Sequence, residues 1–233
     1  MADQVQLRAV DIPRGPSVTD LVFEQLYQRV IELDLVPGTK LSELEVSKQM
    51  GVSRQPVRDA FYRLSQLGFL LIRPQRATIV TQISEKDVLE ARFIRTALEM
   101  ETVRAASERL TGAQMDELDD LIVQQQAAID KGDRVLFHSL DDLFHKRICD
   151  MSGHDFAWSL IRESKAHMDR VRYLSLSFGA QSALDDHKDI MAALRKQDGD
   201  AAAAAMRIHL SRIKSIIGRI RESYGQYFAT EET

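Results

Sequence analysis

All five prolines of the chain (Pro13, Pro16, Pro37, Pro56 and Pro74) fall within its first third, and residues 75–233 contain none. An interior proline removes a helix hydrogen bond and clashes with the preceding turn. The proline-free stretch is therefore suited to a continuous set of helices, whereas the first third must turn often. Glycines at Gly112, Gly132, Gly153, Gly179 and Gly199 divide that stretch at intervals of about 20 residues, a spacing that suits helix C-caps and loops. A chain of 233 residues accommodates two domains of ordinary size. The pattern predicts a flexible N-terminal arm over 1–16, a first domain over 17–82 and a helical domain over 83–228, joined near Gln82–Ser84.

Charge divides the chain at the same place. Residues 1–81 carry 10 Lys+Arg against 9 Asp+Glu, and the remainder carries 21 against 26. Between residues 40 and 82 the balance is 7 basic to 3 acidic, a local excess that the overall net charge of −4 conceals and that points to nucleic acid. A single cysteine, Cys149, excludes an internal disulfide and any zinc site built from several cysteines. It agrees with a reducing, cytoplasmic setting. No apolar run reaches the roughly 18 residues of a membrane span, and the first 15 residues lack the apolar core of a secretion signal.

In the first domain, Leu21, Val22, Leu26, Val30 and Leu33 form a helical stripe over Thr19–Leu33, ended by the turn signal Pro37-Gly38. Glu43–Met50 reads as a short helix with Leu44, Val46 and Met50 available to pack, stopped by Gly51. Ser53 can N-cap a third helix, about Arg54–Leu67, with Pro56 in its first turn where a missing N–H costs little. Its apolar residues Val57, Ala60, Phe61, Leu64 and Leu67 recur at 3–4 spacing, leaving Arg54, Gln55, Arg58 and Arg63 to project outward. Phe69–Arg73 and Thr78–Gln82 read as two strands. Two short helices around a tight glycine turn, followed by a hairpin, make a winged helix-turn-helix, whose second helix enters the major groove. Arg54 and Arg58, four apart, can reach guanine edges; Lys40, Lys48, Arg73 and Arg76 are placed for phosphates. On spacing alone, the two arginines equally fit a solvated helix face.

The string from Val36 to Val80 closely resembles the DNA-binding domain of the GntR family of bacterial transcription regulators, through PG..LSE, GVSR.PVR.A...L...G and a basic wing. The resemblance implies that Ser53, Arg54, Gln55, Pro56 and Arg58 form the tip of a recognition helix. Ala77 stands where the family's wing turn usually has glycine.

Six helices are expected in the second domain. Ser84-Glu-Lys-Asp87 opens the first, which runs to about Leu110; Thr111, Asp133, His154 or Asp155, Gln181 and Asp200 open the others. Periodicity near 3.6 predicts an antiparallel bundle of six to seven helices, with Leu98, Val103, Leu118, Ile122, Leu143, Leu174, Leu194 and Ile213 in its core. Asp141 and His145 are four apart and share a helix face, and His187 and His209 sit on two later helices. One carboxylate and three imidazoles suit a divalent ion, although an Asp–His pair at this spacing also arises by chance. His138 lies about two turns from His145, too far along the axis for the same ion, and His154 and His167 are expected to be structural.

Residues from about Asp87 to Gly218 look like the FCD effector domain of the FadR-like GntR subfamily, on FIRTALEMETVRAA, the D..FH pattern at Asp141–His145, DHKDIMAAL and AAAAAMRIHL. The resemblance implies a metal held by Asp141, His145, His187 and His209, most plausibly zinc, with nickel or manganese as alternatives. It further implies an organic-acid or sugar-acid effector, clamped by Arg95 in R..LE and by Arg172 through bidentate hydrogen bonds. The function implied is a homodimeric regulator, usually a repressor, reading a palindromic operator in double-stranded DNA with no membrane partner. A hydrolase or oxygenase using the same four residues is the competing expectation.

Overall fold

The computed structural model describes residues 15–73 and 76–230. The expected flexible arm up to residue 14 and the wing-tip pair Pro74-Gln75 lie outside the described residues. Helix α1 (Val18–Ile31) opens with a capping box, in which Ser17 and Asp20 satisfy each other's backbone N–H groups. Strand β1 (Lys40–Leu41) leads into α2 (Glu43–Met50) and α3 (Arg54–Gln66), and strands β2 (Leu70–Leu71) and β3 (Thr78–Val80) complete the first third. Gly51 takes a left-handed conformation at φ 65°, which glycine adopts without steric penalty, and so turns α2 sharply into α3. The buried face of α3 is Val57, Ala60, Phe61 and Leu64, packed with Val22, Leu26 and Val30 of α1. This is the expected winged helix-turn-helix.

Three details differ from expectation. The wing has three strands, in the order β1-β3-β2, because Lys40–Leu41 pairs antiparallel with Ile79–Thr78 beside the Leu70–Val80 pairing. A two-residue strand is too short to leave a period in the sequence. Ser53 occupies the N-cap of α3 by its backbone, but its side chain makes no capping hydrogen bond. Leu21 and Leu44, expected to pack, are exposed.

The rest of the chain is a bundle of six helices: α4 (Glu85–Ser107), α5 (Gly112–Asp130), α6 (Arg134–Met151), α7 (Phe156–Ser164), α8 (Ala166–Arg195) and α9 (Gly199–Tyr224), closed by a single 3-10 turn at Gly225–Tyr227. Its core includes Val103, Leu118, Phe137, Phe144, Leu184, Ile190 and Met206. Each such side chain, fully removed from water, contributes roughly 1.5–3 kcal/mol. Leu143, expected in this core, is 38% exposed.

The expected break at Gly179–Gln181 is absent. Helix α8 runs through Gly179 for 30 residues. One glycine costs a helix only about 1 kcal/mol, less than is gained by burying Leu174, Leu184, Ile190, Met191 and Leu194 along the same helix. The break falls instead at Lys165, between α7 and α8. Gly112 and Gly199 are first residues of helices, whereas Gly132 and Gly153 take positive φ just after α5 and α6. Asp198, not Asp200, caps α9, accepting from the Ala201 N–H.

The two parts are seated on one another through the first turns of α8. Ala166 and Tyr173 pack into the winged head's apolar cluster. Arg170, fully buried, donates to the Thr81 carbonyl at 2.6 Å. His167 Nδ1 accepts from the Ser84 N–H and from Arg170. Ile83 also exchanges backbone hydrogen bonds with Tyr227 and Ala229, tying the connecting segment to the end of the chain.

Candidate metal centre and DNA-binding surface

Asp141, His145, His187 and His209 come from α6, α8 and α9, and one ligand atom from each lies within 4.8 Å of all the others. The spacing of Asp141 and His145 is a single helical turn, and the pair is buried on the same helix as Phe137, Leu140, Phe144 and Ile148. His145 Nε2 lies 3.2 Å from His209 Nε2 and 3.9 Å from an Asp141 oxygen, and His187 Nε2 lies 3.6 Å from the other Asp141 oxygen. Ligand bonds of about 2.0–2.1 Å in a tetrahedral set place ligand atoms about 3.3–3.4 Å apart. The three separations lie within about 0.6 Å of that spacing.

The outer face of each imidazole is held by a different partner. His187 Nδ1 sits 2.8 Å from Gln125 Oε1, while Gln125 Nε2 donates to the Leu140 carbonyl. The amide oxygen can only accept, so His187 Nδ1 carries the proton and Nε2 offers a lone pair. His145 Nδ1 lies 2.5 Å from Glu99 Oε2, and His209 Nδ1 lies 3.4 Å from Asp186 Oδ2. Each carboxylate is an ion-pair neighbour of its ring, and its charge favours a proton on Nδ1 in both. Three buried lone pairs and a carboxylate then face one point, and His187 Nε2 has no hydrogen-bond partner among the described residues. Such an arrangement repels itself unless a cation lies among the four. The residues fit a divalent metal ion.

The electrostatics agree. Burial alone pushes the Asp141 carboxyl up, but Arg172 and the three imidazoles outweigh it and hold the group well below the ordinary carboxylate range. Burial, then the neighbouring His209, pushes His187 well down, and burial lowers His209 too. Both rings are therefore neutral and able to bind metal near pH 7.

Beside the cluster is a cavity of about 250 Å³ lined by Arg95, Asp141, Arg172, Ser175, His209 and Arg212, among others. Both expected effector arginines reach it, each already engaged. Arg95 is 1% exposed and grips Glu99, at 2.5 Å from Nε to Oε1, which holds the carboxylate behind His145. Arg172 binds Asp141 and also donates to Asp142 at 2.9 Å and Asp169 at 2.7 Å. His138 faces this second group of carboxylates, 4.0 Å from Asp169. Lys165 already bridges Asp142 and Asp169 at 2.5 and 2.6 Å, so this group holds its own ammonium.

Sequence reasoning did not single out Glu99, Gln125 or Asp186, which orient the imidazoles, nor Asp142, Lys165 and Asp169. Glu99 stands four residues after Arg95, a helical spacing that was legible. Lys165, Asp169 and Arg172 likewise recur at helical spacing, whereas Gln125 and Asp186 reach their rings by tertiary packing.

At the other end of the molecule, Ser53, Arg54, Gln55 and Arg58 are exposed at the start of α3, with Pro56 half-buried among them. Arg54 and Arg58 share the carboxylate of Glu43 on α2, at 3.4 and 3.2 Å, which sets both guanidinium groups on one side. Gln55 donates to Asp59. Lys40, Arg73 and Arg76 are exposed around the wing. Ala77 is not among the described residues with positive φ; the turn beside it closes through the Arg76 N–H and the Arg73 carbonyl.

Residues 19–80 match the bacterial regulatory proteins of the gntR family, and residues 88–212, more than half of the chain, match the FCD domain. The chain belongs to the GntR family, with an FCD domain. Over 220 residues it is 40% identical to the HTH-type transcriptional repressor RspR of Escherichia coli strain K12, covering 91% of this chain and 96% of that one. It is 34% identical to an HTH-type transcriptional regulator in an unstable DNA locus of Streptomyces ambofaciens, covering 90% and 89% of the two chains. The solved structure of E. coli McbR/YncC superposes with a TM-score of 0.77 at 24% identity, over 88% of this chain and 99% of that one, a likeness of fold. This GntR regulator is a DNA-binding transcription factor and not an enzyme, so the expected alternative of a hydrolase or oxygenase is set aside. No described helix is long and apolar enough to cross a membrane.

Proposed function

We propose that this GntR regulator is a homodimeric, metal-containing repressor whose operator affinity is set by a small carboxylate bound beside the metal. The observation that carries the metal is the convergence of three imidazole Nε2 atoms and Asp141, each ring turned by a separate outer partner. Asp141, His145, His187 and His209 are the proposed ligands, and zinc the first choice for two reasons. Three nitrogens and one oxygen suit a borderline ion, and zinc binds such sets tightly; nickel or manganese remain alternatives. When bound, the metal supplies a Lewis-acid site for a carboxylate oxygen.

The proposed effector is an organic or sugar acid. The cavity of about 250 Å³ holds a molecule of that size, and Arg172 projects a guanidinium into it, the group best matched to a carboxylate. In the head, Arg54 and Arg58 are the proposed base readers, with Ser53, Gln55 and Pro56 completing the helix tip and Lys40, Arg73 and Arg76 on phosphates. Dimerisation is supported by large apolar side chains exposed on the mutually packed helices α4 and α9, Phe93 at 71% and Ile208 at 62%. Two heads related by a two-fold axis then read a palindrome.

The test is to select an operator from random-sequence duplexes with the zinc-loaded protein, then screen organic and sugar acids by thermal shift. An acid that raises Tm in the wild type, but not in His145→Ala/His209→Ala, should also change operator affinity. If every acid that binds leaves operator affinity unchanged, the protein is not regulated at this site.

A further inference from the structure

Between the metal cluster and the winged head lies a chain of buried charge that the binding of DNA or metal does not by itself require. Asp141, a proposed ligand, shares Arg172 with Asp142 and Asp169. Asp169 is fully buried and also takes Lys165, itself 1% exposed, at 2.6 Å. On its far side Asp169 meets the hydroxyl of Tyr27, on α1 of the head, at 3.4 Å. Tyr27 is fixed by rings of the same domain, edge-on to Phe69 and stacked on Phe23. Burial, then the nearby Asp169 charge, drives its phenol far above the ordinary range, so the hydroxyl stays protonated and can donate. Three contacts therefore lead from a metal ligand to the helix that packs behind the recognition helix.

The charges do not balance without a cation. Three carboxylates, Asp141, Asp142 and Asp169, face two cationic side chains, Lys165 and Arg172, with His138 alongside. Arg172 would lose part of its hold on Asp141 were that carboxylate to bind a divalent ion, and would then rest on Asp142 and Asp169, to which it already donates. An anionic ligand in the neighbouring cavity pulls the guanidinium the other way. In either case the field at Asp169 changes, and Tyr27 is the side chain of the head that Asp169 holds. A buried carboxylate that loses a cation gains strongly from any remaining donor.

We infer that Arg172, Asp169 and Tyr27 couple occupancy of the metal site to the placement of the DNA-binding head, with Tyr27 the positioning residue on the head's side. The inference rests on the metal reading above. For it to hold, metal must bind the two head placements with different affinity, and DNA must change metal affinity by the same factor.

The probe is zinc alone, with the full chain and a duplex selected by it. Zinc should change the wild-type Kd for that duplex by about fivefold or more, the lower end of ordinary allosteric coupling. Tyr27→Phe keeps the ring and its stacking and removes only the hydroxyl. In that variant calorimetry should still find one zinc per chain, while the zinc-dependent change in DNA affinity is lost. Trp158, the one tryptophan of the chain, has the Lys165 ammonium 5.6 Å from its ring centre. Its emission should respond to zinc in both wild type and Tyr27→Phe, because Lys165 lies on the metal side of the hydroxyl. In Asp169→Asn the DNA response should disappear, while Trp158 still reports zinc through Asp142 and Lys165. A zinc effect on DNA affinity that survives in Tyr27→Phe overturns the inference, as does one zinc bound with no effect on wild-type DNA affinity. If no zinc binds, the metal reading itself is what fails.

Discussion

Gln125 decides which nitrogen of His187 faces the cluster, and it does so from a position fixed in turn by the Leu140 carbonyl. Replacing it by leucine keeps the volume and removes the tautomer lock. Gln125→Leu should weaken zinc binding by about 10- to 100-fold, as outer partners of metal-bound histidines commonly do, measured by competition with a chelator. Such a residue is illegible in sequence, because a glutamine 62 positions away carries no spacing signal. Asp141 and His145 were legible because a helix turn alone puts them together. The same holds in the head, where Arg54 and Arg58 follow from helix spacing but their shared Glu43 does not. Arg58→Ala should cost about 1–3 kcal/mol of operator affinity and relax the sequence preference at one position, read by anisotropy on the selected duplex and its point variants. A uniform loss across sequences would make Arg58 a phosphate contact.

At the scale of elements, helix periodicity located α4, α5, α6 and α9, and the misplaced division between α7 and α8 came from treating glycine as a stop. Gly179 lies inside α8, and the real interruption at Lys165 has neither glycine nor proline to announce it. What occupies that junction is charge: the Lys165 ammonium reaches inward to Asp142 and Asp169. The chain also turns at Gln197, directly after α8, with φ at 55°. A residue with a Cβ pays roughly 1–2 kcal/mol for that conformation, partly offset by the greater unfolded-state entropy of glycine. Gln197→Gly should therefore raise stability by about 0.5–1 kcal/mol in urea unfolding, and a loss of stability would show that its side chain has a role.

Across the whole molecule, the seat between head and bundle depends on His167. Burial and the Arg170 guanidinium push this ring down to about 4, against about 6.5 in an unfolded chain. Between those values the unfolded chain binds a proton that the folded one does not, so stability is lost as pH falls from about 6.5 toward 4. Wild type should lose Tm through this window more steeply than His167→Gln, when both are followed by calorimetry. Gly68 meets the same ring: at φ 79° an added Cβ would lie 3.0 Å from His167 Nε2. Gly68→Ala should destabilise by more than the roughly 0.5–1 kcal/mol that the left-handed conformation costs net of glycine's entropy, because the ring must also shift. The division into head and bundle was readable from the prolines, but this seat was not, because its contacts run from Gly68 and Thr81 to α8.

The most direct test of the account is the metal content of the protein, purified without tag or chelator, beside His145→Ala/His209→Ala. Elemental analysis should find about one zinc, or a comparable divalent ion, per wild-type chain and none in the double variant. Wild-type protein that folds and binds its operator with no metal in either preparation would contradict it.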